Sequence, residues 1–254
     1  MHRFFVPPEI LKDTNASISL PKELAHQVRD VLRLTLGEQL LLLDNSGNEV
    51  VASVATISKI GVDVHLLERQ SGKSESSVRI ILCQGLLKSA RFEWILEKGT
   101  ELGVSAFSPI LCRRSMAGLE DAGPSKIARW KRIIQEAAEQ CGRSRMPELL
   151  PIRPLMHALN DVPNGAIALM PWEEERSHSL REALTTYAGT RFTVPKSAST
   201  TVVLFIGPEG GLTAEEVALA QRHGVQVVSL GSRILRAETA ALVAVANVMY
   251  ELGG

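Results

Sequence analysis

Thr201-Val202-Val203-Leu204-Phe205-Ile206-Gly207-Pro208-Glu209-Gly210-Gly211-Leu212-Thr213-Ala214-Glu215-Glu216 passes from a strand to a helix within one short turn. The run Thr201–Ile206 is almost wholly β-branched, aromatic or aliphatic, and its length suits a strand buried on both faces better than a helix. Thr213 and Glu216 stand at the spacing of a capping box, which opens a helix. Strand, glycine turn and helix in succession is the grammar of a parallel α/β layer.

The same alternation continues outward. Val225–Leu230 and Ala237–Leu252 read as the last strand and the last helix. Upstream, Val78–Cys83, Phe107–Cys112 and Ala166–Met170 read as strands. Between them lies a helix that Ser89 can cap, with Phe92, Ile95, Leu96, Gly99 and Leu102 on one face. A second helix, from about Ser125 to Cys141, turns Ile127, Trp130, Ile134, Ala137 and Cys141 inward. A Ser/Thr-rich stretch at roughly 189–200 reads as a mobile loop. The pattern predicts an α/β domain with a mainly parallel sheet over residues 73–254.

Residues 1–72 have a different grammar. Leu40–Leu43, Glu49–Ile57 and Val62–Leu67 are short strand candidates, with turn chemistry at Asp44-Asn45-Ser46-Gly47-Asn48. One helix begins at Pro21, carries Leu24, Val28, Val31 and Leu32 as an apolar stripe, and closes at Gly37. Short strands joined by tight turns suggest a small β-barrel. Ser71–Ser77 lacks apolar residues and reads as a linker.

Composition narrows the class. Apolar residues make up 45% and charged residues 22% of the 254, which disfavours disorder and coiled coil. The 28 basic and 28 acidic side chains cancel, excluding a generally basic, histone-like protein. Residues 113–153 nevertheless carry nine basic against five acidic side chains. No apolar run approaches the roughly 18 residues of a membrane span. Met1-His2-Arg3-Phe4-Phe5-Val6-Pro7-Pro8 does not read as a signal peptide. Cys83, Cys112 and Cys141 form no C-x-x-C pair, which argues against a disulfide framework or a cysteine zinc site. The expectation is a cytoplasmic protein without membrane association.

Three strand ends carry unusual sequence: Leu169-Met170-Pro171-Trp172-Glu173, Gly207–Thr213, and Ser229–Thr239. In open α/β sheets ligands bind beyond the carboxyl ends of the strands, so these loops are candidates for one pocket. The glycine loop is neither G-x-G-x-x-G nor a P-loop, and Glu209 within it would repel a pyrophosphate. It suits a ligand with hydroxyls, an adenine edge or positive charge; as a bare turn it needs glycine only for backbone geometry. In the last loop, Ile234 and Leu235 can wall an apolar slot with Arg236 over an anionic substrate. Equally, Arg236 and Glu238 can be a surface pair at a helix start. His26 and His223 are isolated, no ligand spacing points to a metal, and no G-x-S-x-G elbow points to a hydrolase.

Gly207-Pro208-Glu209-Gly210-Gly211 followed by Leu230-Gly231-Ser232-Arg233-Ile234-Leu235-Arg236-Ala237-Glu238-Thr239-Ala240 resembles the signature of the RsmE family. These are bacterial small-subunit ribosomal RNA uridine-N3 methyltransferases of the SPOUT class. His2-Arg3-Phe4-Phe5, His26-x-x-Arg29-x-Val31-Leu32-Arg33, Lys98–Val104 and Glu136–Arg143 match as well, so the resemblance spans nearly the whole chain. It implies an RNA-holding PUA-like β-barrel at 1–72 and a SPOUT methyltransferase domain with a trefoil knot at 73–254. It also implies S-adenosyl-L-methionine bound in the knot and a site formed across a homodimer interface.

The implied cofactor contacts are Leu169, Met170 and Pro171, then Gly207, Glu209 and Gly210, then Leu230, Gly231, Ile234, Leu235 and Thr239. Arg236 is the candidate for stabilising a developing uracil anion, and Glu238 the candidate base or the group that orients Arg236. Arg3, Lys88, Arg113 and Arg143 are the candidate RNA contacts. The implied activity is methylation of uracil N3 at a specific uridine of 16S ribosomal RNA, naked or in the assembled 30S subunit. Two other readings stay open: a SPOUT ribose 2′-O-methyltransferase acting on tRNA or large-subunit RNA, and a non-catalytic RNA-binding protein.

Overall fold

Apolar runs that stay hydrophobic at successive positions form the centre of the larger sheet. The computed structural model describes residues 1–12, 17–72, 74–115, 118, 123–190 and 200–253. β6 (Val78–Gly85) and β11 (Thr200–Ile206) pair in parallel over seven positions and are buried almost throughout. β10 (Ile167–Pro171) flanks β11 and β12 (Gln226–Val228) completes that edge. On the other side β7 (Val104–Leu111) carries two short strands, β8 (Glu148–Leu149) and β9 (Arg153–Pro154). Every pairing in this sheet is parallel.

Period-two alternation sends successive side chains to opposite faces, and each face has its own helices. Against one pack α2 (Ser89–Glu101), the Trp130–Ile134 part of α3 (Pro124–Cys141), α5 (Leu180–Thr190) and α7 (Ala237–Leu252). Against the other pack α4 (Leu155–Asn160) and α6 (Ala214–Arg222). The expected capping box is present, with Thr213 Oγ1 accepting from Glu216 N–H and Glu216 accepting from Thr213 N–H. For α2 the expectation needs correcting: Lys88 is the N-cap, and Ser89 is the first helical residue.

One crossing matters for the site. Ser229, just past β12, donates its N–H to His178 O and accepts from Leu180 N–H. Trp172 N–H donates to Val228 O. The last strand therefore leaves the sheet pinned to both ends of the loop that joins β10 to α5. A trefoil knot requires such a crossing.

Residues Met1–Glu75 and Gln135–Met146 form a separate compact unit. Its sheet runs in the order β1 (His2–Phe5), β3 (Gln39–Leu43), β4 (Asn48–Ile57), β5 (Val62–Ser71), β2 (Ser17–Ser19). Phe4, Leu40, Leu42, Val50, Val64 and Leu66 lie in its core. The helix from Pro21 begins as α1 (Lys22–His26) and continues as one π turn, Gln27–Val31. The π turn rotates the expected stripe: Val28 is buried but Val31 is 64% exposed. This unit also takes in the end of α3, where Glu139 accepts from Phe5 N–H at 3.0 Å. Lys73 of the expected linker and residues 191–199 of the expected mobile loop lie outside the described residues.

Candidate active site

The strand ends of β10, β11 and β12 come together. Pro171 and Trp172, Gly207 to Leu212, Ser229 to Gly231 and Arg233 to Arg236 line one cleft, closed by Ala237 and Ala240 of α7. Of the predicted cofactor contacts, Pro171, Gly207, Glu209, Gly210, Leu230, Gly231, Ile234 and Leu235 line it. Leu169 and Met170 do not: both are fully buried, Leu169 on one face of the sheet and Met170 on the other. Thr239, exposed on the first turn of α7, is not a lining residue either.

Backbone geometry opens the cleft. Gly231 has φ +116°, and a Cβ there would meet nothing within 4 Å, so its backbone borders open space. Gly85, at the end of β6, lies so close to the glycine loop that a Cβ would stand 2.5 Å from Pro208 N. Only glycine permits that approach.

Arg236 is the N-cap of α7, lines the cleft and is exposed, and among the described residues its guanidinium has no ion-pair partner. Glu238 does not line the cleft; it is nearly enclosed, with its side chain 12% exposed, and among the described residues its buried Oε2 has no hydrogen-bond partner. No hydrogen bond or ion pair joins Glu238 to Arg236 among the described residues. The other Glu238 oxygen lies 3.8 Å from Arg91 Nε.

Arg91 escaped the sequence reading. From the first turn of α2 it also binds Glu209 at 2.7 Å. Arg114, likewise missed, donates to Gly210 O at 3.1 Å and lies 3.5 Å from Leu212 O. Arg113 N–H donates to Glu216 at 2.7 Å, so the turn after β7 is attached to the helix that follows the glycine loop. A signal was available: β6 and β7 also end on the carboxyl side of the sheet, where the crevice rule applies to their loops too.

The predicted RNA contacts differ in availability. Lys88 is exposed at the N-cap of α2, and the Arg113 side chain is 68% exposed beside Glu215 at 3.7 Å. Thr213 holds the Glu215 carboxyl below its ordinary range by hydrogen bonding. In the N-terminal unit, Arg3 pairs with the buried Glu49 at 2.5 Å. Arg143 is only 6% exposed and pairs with Glu75 at 2.9 Å, while Glu75 also accepts from Ser144 and Arg145 N–H. A phosphate could reach Arg143 only by displacing Glu75.

S-adenosylmethionine combines a flat adenine, ribose hydroxyls and a sulfonium cation. The cleft offers apolar walls at Ile206, Leu230 and Leu235, open backbone at Gly231 and carboxylates at Glu173 and Glu209. Among the described residues, two buried polar atoms close by, Trp172 Nε1 and Glu238 Oε2, lack hydrogen-bond partners. Buried polar groups left unpaired are uncommon, and a bound polar ligand is one way to satisfy them. The residues fit the cofactor.

Comparison with known proteins identifies the relatives of this chain. A family model described as an RNA methyltransferase domain matches residues 74–249, and one described as an RNA methyltransferase PUA domain matches residues 21–67. The chain is 32% identical to ribosomal RNA small subunit methyltransferase E of Bacillus subtilis, over 99% of this chain and 97% of the relative. A Neisseria gonorrhoeae protein of the same name, solved bound to S-adenosyl methionine, superposes with a TM-score of 0.85. It is 30% identical, with 98% and 97% of the two chains covered. A Legionella pneumophila methyltransferase solved with the same cofactor gives a TM-score of 0.78 at 29% identity, covering 98% and 96%.

Proposed function

The chain belongs to the RsmE family of RNA methyltransferases, and on that premise we propose that it methylates N3 of a specific uridine in small-subunit (16S) ribosomal RNA. The observation that carries the reading is the convergence of three strand-end loops on one cleft with an exposed arginine on its edge that has no ion-pair partner among the described residues. When bound, S-adenosylmethionine supplies an electrophilic methyl group on a sulfonium.

The remaining work falls to the protein. Uracil N3 carries a proton and is weakly acidic, so its nitrogen becomes nucleophilic only as that proton leaves. Glu238 Oε2, buried and without a hydrogen-bond partner among the described residues, is the candidate acceptor; a positioned base contributes about 10²–10⁴-fold. As the proton leaves, negative charge spreads to the uracil oxygens, and the Arg236 guanidinium is the candidate that stabilises it. Apolar Leu230 and Leu235 exclude water, and the open Gly231 backbone allows close approach of the cofactor. N3 lies on the Watson–Crick edge, so the uridine must be unpaired or flipped out of its helix. Lys88 and Arg113 suit phosphate contact by charge and exposure.

The active form in this reading is a cytoplasmic homodimer. Tyr250 is 85% exposed on α7, and Leu242, Val243 and Ala246 of the same helix are only partly covered. Mass spectrometry of nucleosides from RNA treated with the protein and S-adenosylmethionine tests the reaction, with naked 16S RNA and 30S subunits as parallel substrates. The expected product is N3-methyluridine. Ribose-methylated nucleoside would overturn the base specificity, and cofactor-independent RNA binding without any product would favour a non-catalytic role.

A further inference from the structure

We propose that Arg91 is a positioning residue for the cofactor cleft, holding Glu209 of the glycine loop and, at longer range, Glu238 of α7. The inference rests on the cofactor reading given above. Three segments distant in sequence meet at this guanidinium. NH1 contacts Glu209 Oε1 at 2.7 Å, and Nε lies 3.8 Å from Glu238 Oε1. The mount is rigid: Arg91 N–H donates to Lys88 O, and the next residue, Phe92, is 1% exposed and packs at a tilt against Trp130 with ring centroids 4.5 Å apart.

The carboxylates need such a partner. The Glu238 side chain is 12% exposed with one oxygen unpaired among the described residues, and the Glu209 side chain is 22% exposed. Two partly buried like charges beside one guanidinium repel each other, and that cation fixes their separation. With Arg91 in place the trio retains a single negative charge. S-adenosylmethionine carries a sulfonium, an ammonium and one carboxylate, so it brings the opposite single charge. Arg91 thus sets both the place of Glu209 and the charge that the cofactor meets. Because Nε and NH1 face different carboxylates, a lysine, with a single ammonium, cannot reproduce both contacts.

Calorimetric titration of the ligand-free protein with S-adenosylmethionine tests this without turnover. Arg91→Met is expected to weaken cofactor binding about tenfold, since small misplacements of binding groups are costly. Arg91→Lys is expected to recover only part of the loss. If Arg91 acts through Glu209, the Arg91→Met/Glu209→Ala double variant binds no more weakly than Glu209→Ala alone. Wild-type affinity in Arg91→Met, or losses that multiply in the double variant, would overturn the proposal while leaving the cofactor reading intact. A wild-type protein that binds no S-adenosylmethionine would overturn the cofactor reading itself, and the role of Arg91 with it. Arg91 is a partly exposed side chain, and unchanged thermal midpoints would confirm that the variants fold.

Discussion

Arg236 stands where an extended loop becomes a helix, so its backbone is fixed by α7 while its side chain stays exposed at the cleft. If that guanidinium stabilises a uracil anion, Arg236→Ala lowers the single-turnover methylation rate by about 10²–10³ at saturating RNA and cofactor. Cofactor affinity should change little, and Arg236→Lys should restore little of the rate. A near wild-type rate under those conditions would leave Arg236 as a docking residue. Arg143 is expected to behave in the opposite way. It resembled a phosphate contact because the sequence shows its charge but not its partner, Glu75, which is 68 positions away. Truncating one member of a buried pair costs about 3–5 kcal/mol. Arg143→Ala should therefore lower stability towards urea by about that much; RNA affinity should fall only if the unit unfolds.

At the scale of elements, legibility followed burial. β6 and β11 were readable because strands covered on both faces must be apolar at every position. α5 was not anticipated: Leu180–Thr190 mixes Thr, Gly and Tyr with few periodic apolar positions. Val31 was misplaced because a π turn shifts the phase that a 3.6-residue period assumes. The glycine loop offers a direct test. A Cβ at Gly210 would stand 2.9 Å from Arg114 Cβ and 3.2 Å from its carbonyl oxygen. Gly210→Val should displace both the loop and the Arg114 turn, abolishing cofactor binding by calorimetry while thermal stability changes little. The end of α3 gives a pH-dependent case. Burial pushes the Glu139 carboxyl above its ordinary range, against opposing hydrogen bonds from Gln135 and Phe5 N–H. The folded state therefore holds that proton more tightly than the unfolded one, and the stability contribution declines as pH rises through this interval. Glu139→Gln keeps an oxygen acceptor for Phe5 and removes the charge. Its melting temperature should exceed wild type at pH 7, and the gap should close below pH ~4, where the carboxyl is neutral in both states.

At the scale of the whole molecule, the three loops were legible as a site because the topology of α/β sheets places strand ends together. The arginines that brace them were not, since nothing local links Arg91 to Glu209 at a separation of 118 residues. Oligomeric state belongs to this scale as well. The partly covered Leu242, Val243 and Ala246 and the exposed Tyr250 leave one face of α7 without a partner among the described residues. An apolar helix normally buries every face. Light scattering at micromolar concentration should return twice the chain mass, and Tyr250→Glu should shift the population towards monomer.

The pinning of Ser229 to His178 and Leu180 bears on how the molecule is made. Ribosomes deliver the chain from its amino end, so Pro171 and Gly207–Leu212 emerge before the residues that form the third wall of the cleft. A nascent chain paused at Ser229 can assemble its sheet, yet it lacks Leu230, Leu235 and Ala240 and so has no closed pocket. The segment that follows must then pass the strap at 172–180 to reach its place against α2 and α5. Competence for the cofactor thus waits for the residues after Ser229, and a chain terminated short of α7 is expected to be inert even with its sheet intact.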